Sequence, residues 1–163
     1  MTSYADVMAF LRNLGLEDGL DAFSDRIRIQ KVVYLLKQFG ADLRFGYTWY
    51  KHGPYSPSLT RTLYDPADQD LRSQRELTPD ELKIVNDTRN FLGSDFYSAE
   101  NMELIASLIY LIKHGPDKGL TSRAKILHTL RQQKPQYSVA QFDEAWNKMS
   151  KSGKWDSYLS RLK

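Results

Sequence analysis

His52 and Ser56 stand four residues apart in the stretch KHGPYS, and Asp65 follows nine residues after Ser56. An imidazole, a hydroxyl and a carboxylate are the groups of a base, a nucleophile and an orienting acid. The local chain gives Ser56 another task. It precedes Pro57 at the head of SPSLTRTLYD, where serine caps a helix and proline suits the first helical position. No GxSxG surrounds it, so the spacing predicts a capping serine and no hydrolase. The three histidines, His52, His114 and His128, include no pair at i, i+4, and HExxH is absent, so no metal is expected. The chain has no cysteine, which excludes disulfides, thiolate catalysis and Cys-ligated zinc. Neither GxGxxG nor GxxxxGK[ST] occurs, so neither phosphate-cradling loop is expected. The acid pairs Asp80/Glu81 and Asp143/Glu144 fall in first turns or on exposed faces, where dipole and solvation account for them. The expectation is a chain with no catalytic residue, no cofactor and no enzymatic activity.

KHGP recurs at Lys113 to Pro116. The first copy leaves a strand and enters a helix. The second closes a helix, with cations near its negative end, Gly115 at the C′ position and Pro116 beyond. Opposite contexts and unmatched flanks make the recurrence chance rather than a repeat.

The elements that must position these residues read as mainly helical, about seven helices in 163 residues, with a short strand or wing element after the second. Ser3 caps a first helix carrying Val7, Phe10, Leu11 and Leu14 on one face; EDGLDAF is a loop. Helix two runs from about Asp25 to Phe39 with Ser24 as N-cap. Ile29, Val32, Val33, Leu36 and Phe39 form its core stripe, with Lys31 and Lys37 off it. Tyr47 to Lys51 is a short strand, Gly53-Pro54 breaks the chain, and helix three ends near Asp65-Pro66. Residues 66–77 read equally as a loop or a β-wing. Thr78-Pro79-Asp80-Glu81 is a capping box opening a helix through Leu82, Val85, Thr88 and Leu92. Ser98 caps a helix whose apolar residues cover most of its circumference, so Ile105, Leu108 and Ile109, like Val33 and Leu36, should be almost fully buried. Thr121 and Ser138 cap two more helices, the latter with Phe142, Trp146 and Met149 on one face. WDSYLSRL adds a last turn or two. No linker interrupts this order, so one domain over 1–163 is expected, with 117–163 as basic helices packed on 1–116.

Charge is uneven. Residues 1–116 carry 13 Lys+Arg against 16 Asp+Glu, and 117–163 carry 10 against 4, for a net +3. A basic end suits an acidic partner or nucleic acid. Arg123, Lys125, Arg131 and Lys134 are the cations that would meet phosphates there. Helix two, the strand, helix three and a wing would make a winged-helix-like portion, but its recognition helix would offer one basic residue, Arg61. No window of 18 apolar residues exists and MTSYADVMAF lacks a secretory pattern, so no membrane and a cytoplasmic setting are expected.

The run Ile29-Gln30-Lys31-Val32-Val33-Tyr34-Leu35, the aromatic stretch Tyr47 to Tyr50, and Gly53-Pro54-Tyr55-Ser56 with Leu59 resemble a prokaryotic family. It is that of the YwgA-type proteins and the C-terminal domain of DarG-type antitoxins, more distantly the Panacea (SocA-like) antitoxin domain. NMELIASLIYLIKHG and FDEAWNKM are similar to later helices of that family. The motif spans about 35 residues, with Ile29 where the family has Leu. The 163 residues include no macrodomain of the kind that carries de-ADP-ribosylation in DarG, so that activity is not expected of them. The resemblance implies neutralisation by contact: a helical domain that blocks a toxin, such as an ADP-ribosyltransferase, or serves phage defence. Trp49, Tyr50, His52, Tyr55, Ser56 and Arg61 would form the partner surface. Gly53 to Ser56 also have a purely architectural reading, as turn, packing and cap. The alternative function is a small winged-helix-like nucleic-acid-binding regulator.

Overall fold

The structure is a computed structural model and describes residues 3–16, 23–50, 53–64 and 75–163, with only the backbone at 23 and 24. The described elements are α1 (Tyr4–Asn13), α2 (Phe23–Gln38), β1 (Thr48–Tyr50), β2 (Gly53–Tyr55), α3 (Pro57–Tyr64), α4 (Pro79–Leu92), α5 (Ala99–His114), α6 (Arg123–Gln133), α7 (Val139–Lys151) and α8 (Asp156–Leu159). Short 3₁₀ turns follow α4 and α5. The fold is mainly helical with one two-stranded antiparallel sheet after α2, as the sequence predicts. No helix among the described residues is long and apolar enough to cross a membrane. The chain divides into two compact units, Met1–Met102 and Glu103–Lys163, and the division falls inside α5.

Helix starts follow the expected caps with two exceptions. Ser3, Thr78 and Ser138 each accept from the N3 backbone N–H while the N3 side chain answers the cap residue, giving three capping boxes. Ser98 Oγ accepts from Asn101 N at 3.1 Å. Helix α2 begins at Phe23, so Ser24 lies inside the first turn and is not its cap. Helix α6 is capped by Ser122 rather than Thr121. The second KHGP also departs from expectation. Gly115 has φ −65° and stays helical; the left-handed turn comes four residues later at Gly119, φ 90°. A side chain on Gly115 would run into the Leu111 carbonyl and Leu120, so glycine is there for space. The wing and the expected loop after Leu16 fall largely outside the described residues.

The expected core is buried. Val33, Leu36, Ile105, Leu108 and Ile109 are all at most 2% exposed. Eight consecutive residues of α5, Met102 to Ile109, are buried, as an all-round apolar helix requires. Leu82 is the exception in α4, at 39% exposed.

In the first unit, one arginine ties two helix starts. Arg75 Nε donates to Asp6 Oδ1 at 2.9 Å, and its two Nη atoms donate to both Glu81 oxygens at 2.8 and 2.6 Å. Asp6 and Glu81 are the N3 carboxylates of the α1 and α4 capping boxes. One guanidinium therefore holds the two carboxylates that already serve helix starts. Hydrogen bonds from Arg75 hold the Glu81 carboxyl at about 2, against an ordinary 4.5. Burial pushes the Asp6 carboxyl up, but the bonds from Arg75 and Ser3 outweigh it and leave it lowered.

In the second unit the polar centre is buried. Glu103, Lys134 and Tyr137 are 6%, 2% and 5% exposed. Glu103 Oε2 accepts from the Tyr137 hydroxyl at 2.5 Å, and Lys134 Nζ lies 3.4 Å from Oε1. Such a pair is costly to form and costlier to break, because removing one partner strands the other charge without water.

Two outcomes are expected. The carboxylates of Glu81 and Asp6 are held below their unfolded values, so they add stability above about pH 4.5 that is lost as pH falls toward 2. Arg75→Ala should cost about 1 kcal/mol at pH 7, discounted for partial exposure, and almost nothing near pH 2. Urea titrations across that range measure it; a pH-independent difference would refute the assignment. Glu103→Leu alone should cost about 3–5 kcal/mol, and adding Lys134→Met should recover most of it.

Candidate partner-binding groove

Helix α2 stands beside the β1–β2 hairpin and the start of α3, and two of its residues fasten them. The hairpin is in register Thr48↔Tyr55, Trp49↔Pro54 and Tyr50↔Gly53. Gly53 enters β2 at φ 87°, a left-handed conformation open to glycine. The sequence reads Gly53-Pro54 as a break, whereas both lie in a strand. A proline is tolerated there because β2 needs no N–H on its outer edge, and Lys31 takes the carbonyl it does have. Lys31 Nζ donates to Pro54 O at 2.6 Å, and the whole side chain is buried at 1% exposure. Lys31 is thus no off-stripe surface cation; its stem packs inside and its head meets the backbone.

Gln30 makes the second fastening. Its Nε2 donates to Ser56 O at 3.0 Å and its Oε1 accepts from Ser56 N at 2.9 Å. The side-chain amide thereby pairs with both polar groups of one residue, as a neighbouring strand would. Nε2 also donates to Thr60 Oγ1 at 2.9 Å, and the Tyr55 hydroxyl shares that oxygen at 2.8 Å. Ser56 Oγ accepts from Leu59 N at 3.2 Å, the predicted cap. Further along α2, Lys37 donates to Phe45 O and lies 5.3 Å from the Tyr47 ring. The Tyr47 hydroxyl reaches Gln30 O at 3.3 Å. Desolvation, with Tyr34 alongside, pushes the Tyr47 phenol well up, so it acts as a neutral donor.

These fastenings leave a groove of about 510 Å³ between α2, the hairpin and α3. Ile27, Ile29 and Leu63 supply apolar wall, and Tyr50, Tyr55 and Tyr64 supply aromatic surface. Tyr50 and Tyr64 are 64% and 38% exposed. The Tyr50 and Tyr55 rings lie 5.5 Å apart, tilted by 35°. Arg26, exposed, also lines the groove.

The expected partner residues therefore separate. Tyr50 and Tyr55 line the groove. Trp49 is half-buried in β1 and Arg61 is exposed on α3, but neither lines it. Ser56 is fully buried and committed to capping and to Gln30, so it is not available to a partner. His52 lies outside the described residues, as does Asp65. The sequence missed Arg26 and Tyr64 as groove residues. Gln30 and Lys31 stand in the motif without a role that the sequence shows, and the helical stripe places Lys31 off the core, so their fastening of the hairpin was not legible.

The basic candidates separate as well. Lys134 is buried against Glu103 and cannot meet a phosphate. Arg123 pairs with Asp143 and lies 5.2 Å from the Trp146 ring centroid. Lys125 and Arg131 remain exposed on α6, where Arg131 and His128 border a second, more open hollow of about 400 Å³.

Scans against protein-family models, curated proteins and solved structures find no match to this chain.

The clamp is testable. Gln30→Ala leaves the buried N–H and C=O of Ser56 without that partner, at about 1–3 kcal/mol for each group stranded. The expected loss is about 2–4 kcal/mol in urea denaturation, with faster amide exchange at Ser56. An unchanged Ser56 protection factor would show that the amide pairing carries no weight.

Proposed function

We propose that this chain is a non-enzymatic protein-interaction domain that neutralises a partner by contact, in the manner of an antitoxin or a phage-defence component. The observation that carries the reading is the exposed Tyr50 and Tyr64 beside an apolar groove whose wall is fastened by Gln30 and Lys31. Tyrosines of this kind, on a fixed scaffold, are the residues that dominate contact energies in interfaces. The resemblance of the Gln30-Lys31 and Gly53–Ser56 motifs to antitoxin domains supports the same reading. In this chain those motifs build the wall, so the contact itself falls to the tyrosines. A cytoplasmic setting accompanies the proposal.

Nucleic-acid binding is the weaker reading. It rests on Lys125 and Arg131 once Lys134 is buried against Glu103 and Arg123 is paired at the surface with Asp143.

The test is co-expression with the product of the adjacent gene, read as growth rescue and as affinity by calorimetry. Tyr50→Ala with Tyr64→Ala should weaken binding at least tenfold, while the fold is kept and stability falls by no more than about 1–2 kcal/mol. Duplex DNA binding that falls steeply with salt and is lost in Lys125→Ala with Arg131→Ala would favour the alternative instead.

A further inference from the structure

We infer that the groove accepts an acidic amphipathic helix of the partner, inserting apolar side chains spaced one turn apart and placing a carboxylate on Arg26; this rests on the contact reading above. Three observations select that occupant. The first is charge. The described lining includes two cations, Arg26 and Lys31, and no carboxylate. Lys31 is turned inward onto Pro54 O. Arg26 is exposed and has neither a hydrogen bond nor an ion pair among the described residues. An unpaired guanidinium beside apolar wall is complementary to a carboxylate flanking apolar groups.

The second is backbone chemistry. A peptide can enter by adding a strand to a sheet edge or by laying side chains into a groove. On the β2 side the first route is closed, because Gln30 occupies both polar groups of Ser56 and Lys31 occupies the Pro54 carbonyl. A partner arriving there finds side-chain surface and no unpaired ladder. The third is shape and polarity. Apart from Arg26, the polar groups seen to bond within the groove turn to the protein: Tyr55 and Gln30 both reach Thr60. The wall is left apolar, with Tyr50 standing well out of it at 64% exposure. An enclosed small-molecule site would cover such a ring, whereas a helix laid along the groove would pack against it.

The probe is a synthetic alanine-based peptide of about 15 residues, long enough to populate helix, with leucines at i, i+4 and i+7 and flanking glutamates. A matched peptide carries lysine for glutamate, and a third carries alanine for leucine. Each is titrated to about 1 mM, where contacts of about −4 kcal/mol register, against the labelled full chain by NMR. The Leu/Glu peptide should shift resonances of Ile27, Tyr50, Leu63 and Tyr64. The other two should bind at least tenfold more weakly, and Arg26→Glu should reverse the Glu-over-Lys preference. Equal binding of the glutamate and lysine peptides, no shifts at these residues, or an Arg26→Glu chain with unchanged preference would overturn the inference. The adjacent-gene experiment separates the two claims. If the tyrosine variants lose the partner while Arg26→Glu binds it normally, contact through the groove stands and the acidic helix falls. If neither variant affects partner binding, both fall.

Discussion

The pairing of one side-chain amide, that of Gln30, with the backbone of Ser56 is the constraint on which the candidate site depends. It joins residues 26 apart in sequence and fixes where β2 ends and α3 begins. With that point fixed, Ser56 can cap α3, Thr60 can meet both Gln30 and Tyr55, and Tyr64 is delivered one turn further on. Lys31 does the same for the strand itself. Both side chains sit in the interior, where a backbone group without a partner costs more than any single contact returns. Hence the hairpin, only two short strands, is held by a helix as well as by its own ladder.

Burial of the charged groups Lys31, Lys134 and Glu103 follows one rule in both units. Lys31 is satisfied by a carbonyl, Lys134 by a carboxylate, and Glu103 by a phenol as well. These are residues whose types mark them for the surface. Their length lets the stem pack while the head finds its partner. Arg75 shows the surface version, in which the partners are carboxylates already employed as caps.

Most helices were legible because their starts carry specific chemistry. Thr78-Pro79-Asp80-Glu81 and Ser138 with Gln141 specify a cap at residue resolution. The apolar run of α5 likewise announced its burial. What stayed hidden depends on contacts distant in sequence. Gly53-Pro54 reads locally as a break, and becomes a strand by pairing with β1, with Lys31, 23 residues earlier, taking the Pro54 carbonyl. The surplus of positive charge after residue 116 could be counted, but which cations have partners could not: Arg123 pairs with Asp143 at the surface, and Lys134 is buried against Glu103. The groove was half legible. Tyr50 and Tyr55 stand out in sequence, while Arg26 and Tyr64 join them only through the packing of α2 and α3.

Two interior lysines among the described residues also mark the chain chemically. An ammonium nitrogen enclosed as those of Lys31 and Lys134 are is shielded from acylating reagents that consume surface amines quickly. One lies in each compact unit, so the acylation of either records the opening of its own surroundings. The protein thus carries two internal clocks, readable by mass spectrometry, with no label engineered into it.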